Sequence, residues 1–266
     1  METNSDISCE FLTNISKKHT RIENVIALFT DFGMTGPYVG QMKAVFANQS
    51  YHVTVIDLMH DAPAFNPLAS SYLLAATVRY LPEEMIVVAV VDPGVGSHRK
   101  GVALLADGRW FVGPDNGLLD VVAMQSDSFE WYEIIVNNKQ QISTSFHGRD
   151  IFAPIALQLF NREPIGSLLT LMPSKTCQVE SDLGEVIYSD GFGNLMTGLR
   201  AVSVSSNSHL LFKNKTLSRY TTFSDAAPGD AFFYENSQGL IEIAVNAGSA
   251  KEFFNAAIGD EIIITD

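Results

Sequence analysis

The sequence predicts an α/β domain with a mainly parallel sheet, followed by a smaller all-β domain. Two observations favour this division. Short apolar segments alternate with segments of helical spacing in the first two thirds of the chain, as in strand–helix–strand units. Beyond about residue 174 only short apolar segments remain, separated by Gly, Asn, Ser and Asp. We expect a polar tail over residues 1–22, the α/β domain over 23–170 and the β domain over 175–266.

The elements of both domains follow from their apolar patterns. Continuous apolar runs fit strands that are buried on both faces, whereas apolar residues three or four apart fit helices. The Asp107-Gly108 pair between two apolar runs predicts a hairpin turn. In chain order, the α/β domain is predicted to contain strand 24–30, helix 36–49, strand 52–58, helix 67–81, strands 85–91, 102–106 and 110–112, helix 118–124, strand 131–136 and helix 151–160. The β domain is predicted to contain strands 184–188, 195–197, 210–212, 239–245 and 261–265.

The charge and the apolar pattern of the sequence argue against nucleic acid and membranes as partners. Thirty acidic residues against 17 basic ones give a formal net charge of −13, which argues against binding to nucleic acid or to an anionic membrane surface. The first residues lack an apolar signal-peptide core, and no apolar run approaches the roughly 20 residues of a membrane helix. Cys9 and Cys177 lie far apart, without metal or disulfide spacing, so we expect a cytoplasmic protein.

Polar residues cluster at the predicted strand ends. Asp31 follows the first strand, His60 and Asp61 follow the second, and residues 92–99 (DPGVGSHR) follow the third, while residues 145–150 (SFHGRD) precede a helix. A single strand-end Asp is most often a turn former or a helix cap. Several together place ionisable groups in one crevice, because ligands of open α/β sheets lie beyond the carboxyl ends of the strands.

Three chemistries suit such a crevice. A metal site would use carboxylate and imidazole ligands, which fit Mn or Zn, although none of the common metal-ligand spacings is present. A Ser–His–Asp triad lacks its GxSxG turn, and no GK[ST] phosphate loop is present. The third chemistry is metal-free activation of water by an Asp, an Arg and a His. The candidate metal ligands are Asp31, His60, Asp61, Asp92, His98 and His147.

Six segments in order resemble one family, the S-adenosyl-L-methionine hydroxide adenosyltransferases, which are relatives of the fluorinase and chlorinase enzymes. The resemblance covers about residues 24–266. The matching segments are residues 30–33 (TDFG) with 38–40 (YVG), 91–96 (VDPGVG), 113–118 (GPDNGL), 145–150 (SFHGRD), 190–194 (DGFGN) and 246–247 (NA).

The resemblance implies a fold, an assembly and a reaction. It implies an N-terminal α/β domain, a C-terminal β domain and a homotrimer whose active sites lie between the N-domain of one subunit and the C-domain of the next. The implied reaction converts S-adenosylmethionine and water to adenosine and L-methionine, without a metal or another cofactor. Two alternatives stay open: a nucleoside-binding module without significant turnover, and a metal-dependent hydrolase.

The resemblance also implies roles for individual residues. The hydroxide-activating group falls on Asp92, Arg99 and His147, and either Asp92 or His147 is the base. Asp31 matches the carboxylate that holds the ribose hydroxyls. The other implied substrate-binding residues are Phe65 at the ribose and sulfonium, Gly148, Asp190 at the methionine ammonium, Ser237 near the methionine carboxylate, Phe192, Asn194 and the backbone of Ala247 at the adenine, and Asn246.

The sequence departs from the family pattern at the methionine end. Gly36 stands where relatives often have an Asp, and Gln238 and Val245 stand where halogenating relatives have an Arg. Asp92 and Gly148 occupy positions that hold a Tyr and a Ser in those halogenating relatives. Because a carboxylate beside the nucleophile repels halide, we expect hydrolysis rather than halogenation.

Overall fold

A seven-stranded sheet forms the centre of the N-terminal part. The computed structural model describes residues 25–47, 53–136 and 142–265, so the expected tail and the ends of three predicted elements lie outside the described residues. The strands of this sheet are β1 (Val25–Thr30), β2 (Thr54–Met59), β3 (Ile86–Val90), β4 (Gly101–Ala106), β5 (Arg109–Pro114), β6 (Phe129–Ile134) and β7 (Leu169–Leu171).

The sheet has the order β2-β1-β3-β5-β4-β6-β7. The pairs β1–β2, β1–β3 and β3–β5 are parallel. Strands β4, β6 and β7 extend the sheet in antiparallel pairs. The carboxyl ends of β1, β2 and β3 therefore meet at one edge, as the fold class requires for a strand-end site.

Helices cover both faces of this sheet. They are α1 (Tyr38–Ala47), α2 (Pro67–Val78), α3 (Asp120–Met124) and α4 (Ala153–Phe160). Alternate residues of β1 point to opposite faces: Phe29 packs in the layer of α2 and α3, and Leu28 in the layer of α1 and α4. Every residue of β1 is buried, which explains its uninterrupted apolar sequence.

Two smaller sheets form the C-terminal part. Its elements are β8 (Leu183–Ser189), β9 (Leu195–Arg200), β10 (His209–Phe212), β11 (Lys215–Leu217), β12 (Ala231–Glu235), β13 (Leu240–Val245), helix α5 (Ala250–Phe254) and β14 (Ile263–Thr265). One sheet has the order β12-β13-β9-β8 and the other β11-β10-β14, with all pairs antiparallel. Side chains of both sheets share one core.

The two parts contact each other directly. The Tyr72 hydroxyl of α2 donates to the Glu180 carbonyl at 2.7 Å, and the Tyr188 hydroxyl of β8 donates to the Asp61 carboxylate at 2.7 Å. A cleft of about 620 Å³ lies between the parts and is lined by Asp31, Tyr188 and Lys251 among others. Across the residues that the structure describes, no helix has both the length and the apolar character needed to cross a membrane.

The predicted fold class is confirmed, while several element boundaries differ. Asp107 and Gly108 both have positive φ, 46° and 83°, as a two-residue hairpin turn requires. The strand predicted over 131–136 lies two residues earlier, at Phe129–Ile134. The elements that the apolar pattern did not predict are β7, β11, β12 and α5, all of which are only three to five residues long.

Candidate active site

Loops after β1, β2 and β3 carry several of the predicted site residues. Asp31 directly follows β1, and Asp92 follows β3 after one intervening residue. The loops after β1 and β2 are joined by backbone hydrogen bonds, from the Gly33 amide to the His60 carbonyl at 2.6 Å and from the Ala62 amide to the Thr30 carbonyl at 3.1 Å. The loops that carry Asp31 and His60 are therefore hydrogen-bonded to each other at this end of the sheet.

Arg99 lies between Asp92 and His147, the two residues that the resemblance places with it in the hydroxide-activating group. Its Nη2 donates to Asp92 Oδ2 at 2.5 Å and to His147 Nδ1 at 3.1 Å. The side chains of Arg99 and Asp92 are only 9% and 5% exposed. Among the described residues, the buried Asp92 Oδ1 and Arg99 Nε have no hydrogen-bond partner. We call these three residues the Asp–Arg–His group.

A tight glycine turn brings the Arg99 loop against the segment that carries His147. Gly96 has φ +79°, and a Cβ there would lie 2.2 Å from the Thr144 carbonyl oxygen. Only glycine fits such a close approach in this conformation. The Ser97 hydroxyl then accepts a hydrogen bond from the Arg99 amide at 3.2 Å. The glycine-rich sequence thus permits the contact between Arg99 and His147.

His147 is a neutral hydrogen-bond acceptor at Nδ1. Burial lowers the pKa of His147, and the positive charge of Arg99 lowers this pKa further. Because the Arg99 guanidinium is always a donor, we assign the imidazole proton to Nε2. The residue precedes a π-helical turn, Gly148–Phe152, where a Cβ on Gly148 would press on Met42 and Phe146.

Asp31 is half-buried and close to Phe65. The Phe65 amide donates to Asp31 Oδ2 at 3.2 Å. Burial raises the pKa of Asp31, and the nearby Asp92 carboxylate also raises this pKa. Phe65 has φ +58° and a side chain that is 78% exposed. Left-handed backbone at a bulky residue is strained, and such strain concentrates at functional sites.

The structure also assigns a role to Asn116, for which the sequence provided none. Its side-chain amide donates to the Val91 carbonyl at 2.9 Å, and its Oδ1 accepts from the Leu118 amide at 3.3 Å. Asn116 therefore holds the chain immediately before Asp92. The only sequence signal for it was its place in the matching segment 113–118 (GPDNGL).

In the C-terminal part, Asp190 organises the loop between β8 and β9. Its Oδ1 accepts from the amides of Phe192 and Asn194 at 2.9 and 2.8 Å, and its Oδ2 accepts from Asn194 Nδ2 at 2.9 Å. Asn194 is buried, whereas the Phe192 side chain is 82% exposed. This loop therefore presents an aromatic ring beside a fixed polar pair.

The remaining predicted residues lie around β13. Ser237 is exposed and lines an open cavity of about 710 Å³ together with Arg219. The Asn246 side-chain amide donates to the Ala226 carbonyl at 2.7 Å, so it holds a neighbouring loop. Ala247 has φ +57°, the second non-glycine residue of the predicted substrate set in the left-handed region.

The proposed metal ligands do not form a cluster. Within residues 25–47, 53–136 and 142–265, no group of three His, Cys, Asp or Glu side chains is arranged to hold a metal ion. His60 uses both ring nitrogens in hydrogen bonds, to Thr30 and Asp57, and His98 is exposed. Arg99 occupies the space between Asp92 and His147 that a shared cation would need.

Fold and site together define a two-domain α/β and β protein with a charged Asp–Arg–His group beside a strand-end carboxylate. Family models match both parts: the SAM hydroxide adenosyltransferase N-terminal domain over residues 26–168 and the C-terminal domain over residues 184–263. The chain belongs to the SAM hydroxide adenosyltransferase family.

Individual relatives cover nearly the whole chain. An (R)-S-adenosyl-L-methionine hydrolase from Salinispora arenicola is 34% identical over 254 residues, which cover 90% of this chain and 97% of the relative. A fluorinase from Actinopolyspora mzabensis is 24% identical, over 91% of this chain and 97% of the relative. The crystal structure of an uncharacterized conserved protein from Thermotoga maritima has a TM-score of 0.79 at 32% identity, covering 90% of this chain and 99% of that one.

Proposed function

We propose that this protein hydrolyses S-adenosyl-L-methionine to adenosine and L-methionine, by attack of a water-derived oxygen at C5′ of the ribose. The observation that carries the proposal is Arg99 held between Asp92 and His147, at the same sheet edge as Asp31. The names of the hydrolase relatives at 30–35% identity support the substrate.

In this reaction the nucleophile, rather than the leaving group, needs activation. The sulfonium makes C5′ electrophilic and leaves as a neutral thioether, so the leaving group needs neither an acid nor a metal. Water is a poor nucleophile at neutral pH. A fixed guanidinium charge favours the deprotonated form of an adjacent water, by the same rule that lowers the pKa of an acid beside a cation.

The hydrogen-bond pattern divides the roles of Asp92 and His147. The Nδ1 lone pair of His147 already accepts from Arg99, so its Nε2–H is available to donate to the attacking oxygen. Asp92 Oδ2 is paired with Arg99, whereas Oδ1 has no partner among the described residues and can accept a proton from water. We therefore propose Asp92 as the base and His147 as the donor that orients the nucleophile. The proton released from water passes to Asp92 and then to solvent.

Substrate binding divides between the two parts of the chain. Asp31 is proposed to accept hydrogen bonds from both ribose hydroxyls, with the exposed Phe65 against the ribose and sulfonium. Gly148, which directly follows His147, is proposed as a further substrate-binding position. The proposed C-terminal contacts are Phe192, Asn194 and the backbone of Ala247 at the adenine end, Asp190 and Ser237 at the methionine end, and Asn246.

We further propose that the complete site forms in a homotrimer. Phe65 and Phe192, one from each part, are 78% and 82% exposed in the single chain. Large exposed aromatic rings are typical of surfaces that become buried on association. In the trimer, the N-terminal part of one subunit would face the C-terminal part of the next. A cytoplasmic location remains a prediction from the sequence.

Product analysis tests the proposal. Purified protein is incubated with S-adenosyl-L-methionine, and nucleosides and amino acids are separated by liquid chromatography. We expect adenosine and L-methionine in equal amounts. Tight adenosine binding without turnover would instead support a nucleoside-binding module, and the formation of other products would reject attack at C5′.

A further inference from the structure

A buried hydrogen-bonded chain lies directly behind the Asp31 loop. The Thr30 hydroxyl is 2.8 Å from His60 Nδ1, and His60 Nε2 is 3.0 Å from Asp57 Oδ1. Thr30 is fully buried and His60 is 3% exposed. Lys43 Nζ donates to Asp57 Oδ2 at 2.6 Å, so the chain ends at an ion pair on the surface. We call Thr30, His60 and Asp57 the Thr30 network.

When His60 is neutral, only one assignment of donors and acceptors satisfies every hydrogen bond of this network. Asp57 is a carboxylate acceptor, so the imidazole proton lies on Nε2 and Nδ1 is an acceptor. The Thr30 hydroxyl then donates to His60 Nδ1, and its oxygen is free to accept from the Phe32 amide at 3.3 Å. Each hydrogen bond therefore fixes the orientation of the next group, in the order Asp57, His60, Thr30 and the Phe32 amide.

The network holds the loop on both sides of Asp31. Thr30 precedes this carboxylate, and Phe32, bound to the Thr30 hydroxyl, follows it. The His60 carbonyl accepts from the Gly33 amide at 2.6 Å, and the same loop continues to Phe65, whose amide binds Asp31 Oδ2. The backbone at Asp31 is therefore tied to the loop after β2 at several points. The side chains of Thr30 and His60 are too buried to touch a substrate, and Asp57 is paired with Lys43.

We infer that Thr30, His60 and Asp57 are positioning residues that set the Asp31 carboxylate for the two ribose hydroxyls, and so give the protein its preference for ribose over deoxyribose. The inference rests on the proposed function, in which Asp31 binds the ribose. A carboxylate that accepts two adjacent hydroxyls must be held in one orientation, because a small displacement loses one of the two hydrogen bonds. The hydrogen bonds of the Thr30 network fix the backbone on both sides of Asp31 and so can hold its carboxylate in one orientation.

The test compares variants of Thr30 by their ribose preference. Thr30→Val keeps the volume of the buried side chain but loses the hydroxyl, whereas Thr30→Ser keeps the hydroxyl. Affinities for adenosine and 2′-deoxyadenosine are measured by calorimetry, together with KM and kcat for S-adenosyl-L-methionine. We expect Thr30→Val to lose about tenfold of its preference for adenosine and to raise KM similarly, with kcat changed much less. Thr30→Ser should behave like the wild type.

A matched control separates positioning from general stability. Thr197 is also fully buried, its hydroxyl donates to the Ile241 carbonyl at 2.8 Å and accepts from the Leu199 amide at 3.2 Å, and it lies in β9. Thr197→Val should lower the melting temperature about as much as Thr30→Val without changing the ribose preference. Asp57→Ala, at a partly exposed position, provides a second variant of the network and should weaken the same preference.

The outcomes distinguish this inference from the proposed function. An unchanged ribose preference in both Thr30→Val and Asp57→Ala would overturn the inference, as would an equal loss of preference in Thr197→Val. If the wild type forms no adenosine, the proposed function fails. The calorimetric comparison of adenosine with 2′-deoxyadenosine then still decides whether the network sets the ribose preference.

Discussion

Replacing Arg99 by methionine removes the positive charge between Asp92 and His147, along with the hydrogen bonds to both side chains. A unit charge about 4 Å from a developing hydroxide contributes about 4 kcal/mol at an effective dielectric constant near 20. Loss of one preorganised donor at a developing anion typically lowers kcat by about 10²–10³-fold, which agrees with that figure. We therefore expect Arg99→Met to lower kcat by about 10²–10³-fold, with adenosine affinity nearly unchanged.

Stability changes in this variant must be separated from activity changes. Asp92 is only 5% exposed, and loss of its partner leaves a buried carboxylate unpaired, at a cost of about 3–5 kcal/mol. The Asp92→Asn, Arg99→Met double variant removes both charges, so it should recover most of that stability and remain inactive. Arg99→Lys keeps the charge but not the fork that reaches both partners, and should retain intermediate activity.

The assay is adenosine formation at saturating S-adenosyl-L-methionine, with urea unfolding of each variant. Arg200→Met serves as the control, because Arg200 pairs with Asp182 through two hydrogen bonds in the C-terminal part, away from the Asp–Arg–His group. It should lose stability and keep its kcat. A folded Arg99→Met variant with kcat within tenfold of the wild type would refute the role of the guanidinium.

Four further predictions concern the site and its reaction. Asp31→Asn should raise KM by about 10–100-fold with a smaller change in kcat, because a charged hydrogen bond contributes about 1.5–3 kcal/mol. Steady-state kinetics measure both constants, and an unchanged KM would contradict the binding of the ribose by Asp31. His147→Gln should keep much more activity than His147→Ala, since an amide can accept from Arg99 and donate to water; equal loss in both would favour His147 as the base. Because burial and Arg99 lower the pKa of His147, the acid limb of the kcat profile should have its midpoint below 6.5, where protonation of Nδ1 breaks the bond to Arg99; a midpoint above 6.5 would contradict this. Turnover should survive a chelator, and 5′-chloro-5′-deoxyadenosine should not form in chloride, because Asp92 repels halide; either chelator sensitivity or a chlorinated product would contradict the mechanism.

The sequence predicted those features that depend on local pattern. The continuous apolar run of β1 and the Asp107-Gly108 turn have direct structural counterparts, because both depend on residues adjacent in the chain. Strand β7 was not predicted, since its three residues become a strand only by pairing with β6. Strands β11 and β12 pair with strands next to them in the chain, β10 and β13, but their runs of three and five residues are too short for periodicity to identify.

For the active site, too, the sequence predicted which residues belong together but not how they interact. The matching segments placed Asp92, Arg99 and His147 in one group, and the structure joins them by hydrogen bonds. Sequence spacing does not reveal which nitrogen of His147 accepts, so the base remained open between two residues. Asn116 and Thr30 act through hydrogen bonds to the backbone or to another side chain, and such roles have no sequence motif of their own.

Hydrolysis in water enriched in ¹⁸O shows which atom attacks the substrate and at which carbon. In the proposed reaction the new bond forms between a solvent oxygen and C5′, while the thioether leaves with both electrons of the C5′–S bond. Mass spectrometry should therefore find one ¹⁸O atom in the 5′-hydroxyl of adenosine and none in the L-methionine. Adenosine without the label, or a labelled homoserine in place of methionine, would contradict the attack at C5′ that the Asp–Arg–His group is proposed to promote.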